Sequence, residues 1–273
     1  MNKYLQLFRF ANGIMGVLGV IAGALIAAGL DMADHWVRLI VASLVVVLFI
    51  AGGNALNDHI DRDIDIVSHP ERPIPSGRMT PKEALYAGIV AFIASIAASF
   101  FLWDDVLSIA IVLAACVLML SYELFLKQRG FVGNVTIAVL TGMLFLLGGA
   151  VVYNVGSVII VAAMAALVSI GREIAKDIED MGGDEGRVTL PMRIGVKGAS
   201  MVASVTLLAG AALSIWPLIT DMFGPLYYLI LAADAVFIYA SFIIRKDAHS
   251  AQKLCKYAML IALAAFMLGA VYT

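Results

Sequence analysis

Apolar runs long enough to cross a bilayer follow one another along almost the whole 273-residue chain, separated by short polar connections. A spanning helix needs about 20 mostly apolar residues, because the hydrocarbon interior offers no water to satisfy backbone groups. Breaking the sequence at charged or Pro/Gly-rich segments leaves nine such runs, at about 12–30, 37–56, 84–102, 106–122, 132–152, 155–171, 199–219, 224–244 and 255–272. The thinnest divisions lie at 103–105 and 153–156. Residues are 62% hydrophobic and only 14% charged, against roughly 45–50% apolar residues in an ordinary soluble domain. A water-soluble fold is excluded, and the expectation is an all-α polytopic membrane protein forming one domain over 1–273. The first run lacks a small-residue cleavage site and reads as a membrane helix rather than a cleavable signal. Cys116 and Cys255 fit no disulfide framework or CxxC metal site and read as plain thiols.

Charge placement orients the chain. With the nine runs crossing alternately, seventeen of the eighteen Lys and Arg residues fall on one side and Arg38 alone on the other. Basic residues concentrate in cytoplasmic loops, so the N-terminus is expected inside and the C-terminus outside. The total charge of -2 at pH 7 speaks against nucleic acid as a partner, which calls for a basic face. The longer inner connections, after the second and sixth runs, carry nearly all the chemically interesting residues. An active site is therefore expected at the cytoplasmic face.

Two acidic clusters stand out there. In GGNALNDHIDRDID, Asn57, Asp61 and Asp65 are spaced i, i+4 and i+8, so they drift only about 80° around a helix and form one ridge of oxygen atoms. Asp58 flanks that ridge, and Asp63 should point away from it. In GREIAKDIEDMGGDEG, Asp177, Asp180 and Asp184 stand at i, i+3 and i+7, with Gly182 and Gly183 able to end the helix.

Clustered carboxylates repel, and a bound cation is the simplest relief. One Asp-rich loop reads as solvated surface; two clusters with ligand spacing at one membrane face favour metal binding. Carboxylate and amide oxygens without paired His or Cys select a hard ion, Mg²⁺ above Zn²⁺. Mg²⁺ commonly shares itself with substrate phosphates, and Arg72, Lys127, Lys176 and Arg193 lie close enough in sequence to neutralise further phosphate charge. For each of these cations the positive-inside bias is an equally good explanation. A cation transporter is the reading from another class, but transporters hold ions near the midplane on broken helices, whereas both clusters sit at helix ends. His59 and His69 show no ligand spacing and read as loop residues. Tyr122 is placed for an interfacial anchor, and Asp234 is an intramembrane carboxylate with no readable partner.

The chain resembles the UbiA superfamily of intramembrane prenyltransferases over nearly its full length. The resemblance is carried by Arg9 and Asn12 at the mouth of the first helix, NDHIDRDID, RPIPSG from Arg72, SYELFLK with Tyr122 and Lys127, GFVGN at 130–134, and KDIEDMGGD followed by TLP at 189–191. It implies nine helices around a central cavity and transfer of a polyprenyl group from its diphosphate to an acceptor. It further implies two Mg²⁺ ions: Asn57, Asp61 and Asp65 would hold one and Asp180 and Asp184 the other, with Asp177 in support and Asp61 and Asp180 essential to catalysis. Arg9, Asn12, Arg72, Tyr122, Lys127, Lys176 and Arg193 would bind substrate. Within the superfamily the GREIAKDIEDMGGD wording looks most like the archaeal geranylgeranylglyceryl phosphate geranylgeranyltransferases, so a lipid acceptor in the membrane is expected. An aromatic acceptor of the quinone pathways is the alternative.

Overall fold

The computed structural model describes residues 2–181 and 188–271. The described residues are helical throughout, and eight stretches are long and apolar enough to cross a membrane. The first of these, Phe10–Ile60, has 51 residues, about 75 Å of helix at 1.5 Å per residue against a hydrocarbon core of about 30 Å. It folds back on itself at a 3₁₀ turn, Gly29–His35, and a Cβ placed on Gly16 would meet Val46 and Ile50 of the returning helix. The described residues thus make nine crossings, matching the nine apolar runs.

These are α1 (Phe10–Ala28), α2 (Trp36–Ile60), α3 (Pro81–Ser99), α4 (Val106–Ser121), α5 (Phe131–Val151), α6 (Ile159–Asp180), α7 (Leu190–Leu213), α8 (Ile230–Ile243) and α9 (Ala248–Val271). Each packs on its chain neighbour, and α9 returns against α1, closing a ring. Across it, α1 and α5 touch backbone to backbone: a Cβ on Gly148 would fall 2.2 Å from the Val20 carbonyl oxygen, and one on Gly23 2.4 Å from that of Phe145. Small residues at the crossing are what permit such an approach in a membrane, where packing rather than hydrophobic burial holds helices together. The complementary pattern shows on the outside, where Ile93, Phe101 and Phe242 are exposed, as side chains facing lipid must be.

The two thinnest divisions are genuine turns. Asp105 caps α4 by accepting from the Leu107 amide at 3.0 Å, and Tyr153 turns the chain with a left-handed φ of 61°. Arg38, the lone cation expected outside, ties these turns together: it donates to the Val151 carbonyl at 2.7 Å and to Asp104 and Asp105, and its guanidinium lies 4.2 Å from the Tyr153 ring centre. The Tyr153 hydroxyl and Arg38 together hold the Asp104 carboxyl below the usual carboxylate range. At the other face, Thr80 and Glu83 form a reciprocal capping box around Pro81 to start α3. The seventh crossing begins earlier than its apolar run, because a polar first turn from Leu190 is joined through a break at Gly195, φ 75°. Cys116 and Cys255 are both buried free thiols.

Candidate active site

The Asn57–Asp61–Asp65 ridge survives a change of helix. α2 ends at Ile60 and a short helix, Arg62–Ser68, follows, but the Asp61 amide still donates to Asn57 O and the Asp65 amide to Asp61 O, each at 2.8 Å. All three residues therefore line one side of a cavity of about 820 Å³, and Asp180 at the end of α6 lines it too. Asp63 points out to solvent and pairs only with Arg62, at 3.6 Å.

The ridge carries its own cations. Arg72 reaches Asp65 at 2.6 Å, and Lys127 reaches Asp61 at 2.6 Å. Arg9 reaches Asp58 at 2.7 Å, a carboxylate only 2% exposed behind the ridge. Arg9 does so from a left-handed backbone, φ 47° and ψ 61°, a conformation costing roughly 1–2 kcal/mol for a non-glycine residue; it swings the chain between the short helix Lys3–Leu7 and α1 so that the guanidinium faces the site.

Lys127 arrives by an equally unusual route. Tyr122–Leu126 is one turn of π-helix, with the Lys127 amide donating five residues back to Tyr122 O at 3.0 Å. Such single-turn insertions recur at functional sites. Here the extra residue turns Tyr122 and Glu123 to the cavity and lays Lys127 between Asp61 and Glu123, the latter at 3.0 Å. The Asn57 amide donates to the same two carboxylates, at 3.0 and 3.2 Å. Glu123 went unnoticed in the sequence because a regular helix gives no reason to turn it inward.

Other expected residues divide. Asn12 and Lys176 line the cavity. Asp177 does not; it accepts from Asn134 Nδ2 at 2.9 Å, which gives the GFVGN segment a structural role behind the second acidic cluster. Arg193 is exposed on the first turn of α7 and does not line this cavity. Asp184 lies outside the described residues. His69 lines the cavity, whereas His59 stays in α2 with Nδ1 2.8 Å from Pro81 O. Asp234 is buried against the Ser214 hydroxyl, 2.6 Å away.

Six carboxylates (Asp61, Asp65, Glu123, Glu173, Glu179 and Asp180) face this cavity against three cations, Arg9, Arg72 and Lys176. Among the described residues no three acidic, His or Cys groups converge as a ready cage; Asp61 and Asp65 lean on Lys127 and Arg72 instead. The surplus of oxygen-bearing anions suits a hard divalent ion that brings charge with it. Phe49, Ile50, Met119, Ile137, Leu140 and Leu144 add an apolar wall to the same cavity.

A model of the UbiA prenyltransferase family matches residues 16–264. The chain belongs to that family. It is 35% identical to the digeranylgeranylglyceryl phosphate synthase of Methanosphaera stadtmanae, over 99% of this chain and all of the relative. Among solved structures, a digeranylgeranylglyceryl phosphate synthase superposes with a TM-score of 0.83 at 33% identity, covering 98% of both chains. A UbiA homologue from Archaeoglobus fulgidus bound to DMAPP and Mg²⁺ shares the fold, with a TM-score of 0.65 at 14% identity over 97% of this chain and 99% of the other. As a UbiA prenyltransferase the protein is an integral membrane enzyme, and its acid-lined cavity opening onto apolar wall suits a substrate with an anionic head and an isoprenoid tail.

Proposed function

We propose that this UbiA prenyltransferase moves a geranylgeranyl group from its diphosphate to geranylgeranylglyceryl phosphate, a step of archaeal-type ether-lipid synthesis. Full-length similarity to digeranylgeranylglyceryl phosphate synthases supports the acceptor. The observation that carries the chemistry is one cavity lined by Asn57, Asp61, Asp65 and Asp180 together with apolar side chains. In the reaction the allylic C1–O bond breaks, diphosphate leaves with the bonding electrons, and the acceptor hydroxyl forms the new C–O bond as its proton is lost.

Asn57, Asp61 and Asp65 on one side and Asp180 on the other would hold Mg²⁺, which when bound supplies positive charge to the departing diphosphate. Asp184, seven residues beyond Asp177, belongs to the same proposed ligand set, with Asp177 in support and hydrogen-bonded to Asn134. The chain's own groups do the rest. Lys176 meets no carboxylate among the described residues and is placed to bind donor phosphate. Arg9, Arg72 and Lys127 keep the acids in register and can turn N–H groups to phosphate once the acids have another cation. The apolar wall sheathes the isoprenoid and keeps water from the allylic cation. By the distribution of Lys and Arg the cavity mouth and the N-terminus face the cytoplasm and the C-terminus lies outside.

The test is a side-by-side assay of purified protein with Mg²⁺ and radiolabelled geranylgeranyl diphosphate. Product is expected with geranylgeranylglyceryl phosphate and none with 4-hydroxybenzoate. Product with the aromatic acid alone would refute the acceptor, and undiminished product in EDTA would refute the metal.

A further inference from the structure

A second pocket of about 430 Å³ lies alongside the polar cavity. The two share Asn12, Ile50, Thr141 and Leu144 in their linings and so adjoin there. Its walls are mostly apolar, with Met164 and Val168 of α6, Phe237 of α8 and Phe266 of α9, and its one carboxylate among the described residues, Asp234 of α8, is held by the Ser214 hydroxyl at 2.6 Å. Two cations nevertheless face into it, Arg172 of α6 and Lys256 of α9. Arg172 stands eight residues before the end of α6 at Asp180, and Lys256 eight residues after the start of α9 at Ala248. Each is therefore about 12 Å along its helix from the cytoplasmic end, and the two helices pack on one another.

Arg172 and Lys256 both stand at the cytoplasmic edge of the apolar runs 155–171 and 255–272, where a cation beside an apolar pocket is placed to meet an anionic head group. Arg172 commits Nη1 to Glu173 at 2.5 Å, which leaves most of its five N–H donors free. Lys256 has no ion-pair or hydrogen-bond partner among the described residues. The polar cavity has little positive charge to spare, since Arg9, Arg72 and Lys127 are each on a carboxylate. A lipid acceptor that brings its own phosphate needs cations beyond these.

We infer that Arg172 and Lys256 form a phosphate-monoester subsite that holds the head group of the acceptor, with its isoprenoid chain in the apolar pocket. The inference rests on the acceptor being a prenylglyceryl phosphate. Adjacent positions on α6 then serve the two substrates: Glu173, Lys176 and Asp180 face the polar cavity, while Val168 and Arg172 face the second pocket.

Arg172→Gln and Lys256→Gln test this in the full-length protein in nanodiscs of neutral lipid, with Mg²⁺ and both substrates. Each variant should raise the KM for geranylgeranylglyceryl phosphate by about 10- to 100-fold, the loss of a hydrogen bond to a charged group, and leave the KM for the diphosphate unchanged. Lys256→Arg should restore most of the loss, and the phosphate-free acceptor geranylgeranylglycerol should be used equally by wild type and variants. If Arg172→Gln does not fold, Lys256→Gln alone decides, its residue being exposed. An unchanged acceptor KM overturns the inference. So does a defect seen only in nanodiscs of anionic lipid, which would assign the pair to a bilayer head group. Failure of the wild type to use the glyceryl phosphate would instead overturn the proposed function itself.

Discussion

Replacing Lys127 with Met removes a charge while keeping the side chain's length, and its consequence can be worked out from four contacts. Lys127 is 7% exposed and lies 2.6 Å from Asp61 and 3.0 Å from Glu123. Stripping one partner from a buried ion pair costs about 3–5 kcal/mol, because the remaining charge is left desolvated. Asn57 still donates to both acids, which puts the expected loss near the lower end, about 3 kcal/mol. At roughly 2–4 °C per kcal/mol for a chain of this size, the thermal midpoint in detergent with a chelator should fall by about 6–12 °C. Adding Glu123→Gln removes one of the two stranded carboxylates and should recover about 1–3 kcal/mol, the usual range of coupling between touching groups. The assay is thermal unfolding followed by near-ultraviolet circular dichroism for wild type, both single variants and the double variant. A double variant no more stable than Lys127→Met would refute the idea that charge pairing holds the π-turn against the acidic ridge.

Asp61→Ala and Asp180→Ala should each lower turnover by at least about a hundredfold, beyond the usual effect of losing a supporting group, with the fold retained by circular dichroism. Asp63→Ala should stay near wild type, since its side chain is 79% exposed; equal loss there would refute the ridge. Gly148→Val should destabilise by about 1–3 kcal/mol or more through overpacking against α1, whereas Gly156→Ala, where a Cβ meets nothing within 4 Å, should leave the midpoint unmoved. A cysteine label at Lys3 should be reached only from the cytoplasmic side and one at Asp221 only from outside; the reverse result would put the cavity mouth on the wrong face.

The crossings were legible because the bilayer permits only one solution for a run of about 20 apolar residues, and the turns at Asp105 and Tyr153 needed no more than a break in that run. The ridge was legible because helical periodicity is preserved through Asp61 even where the helix is not. What escaped were departures from that periodicity. Asp177 has the spacing of a ligand but turns to Asn134, a residue from another helix. Glu123 and Lys127 reach the site only through a π-turn, which adds a residue that no regular pattern contains.

Charge was the least legible property, for a physical reason. By place in the sequence Arg72, Lys127 and Arg193 read as phosphate ligands; in the structure Arg72 and Lys127 lie on Asp65 and Asp61 and Arg193 lies outside the polar cavity. A ridge of acids in a partly buried wall cannot stay bare, so it recruits cations from the loops that the positive-inside bias has made basic. The cations that the ridge does not reach are Lys176 in the polar cavity and Arg172 and Lys256 in the second pocket. On the proposed function, the carboxylates that would bind the metal would also decide where a second phosphate can go.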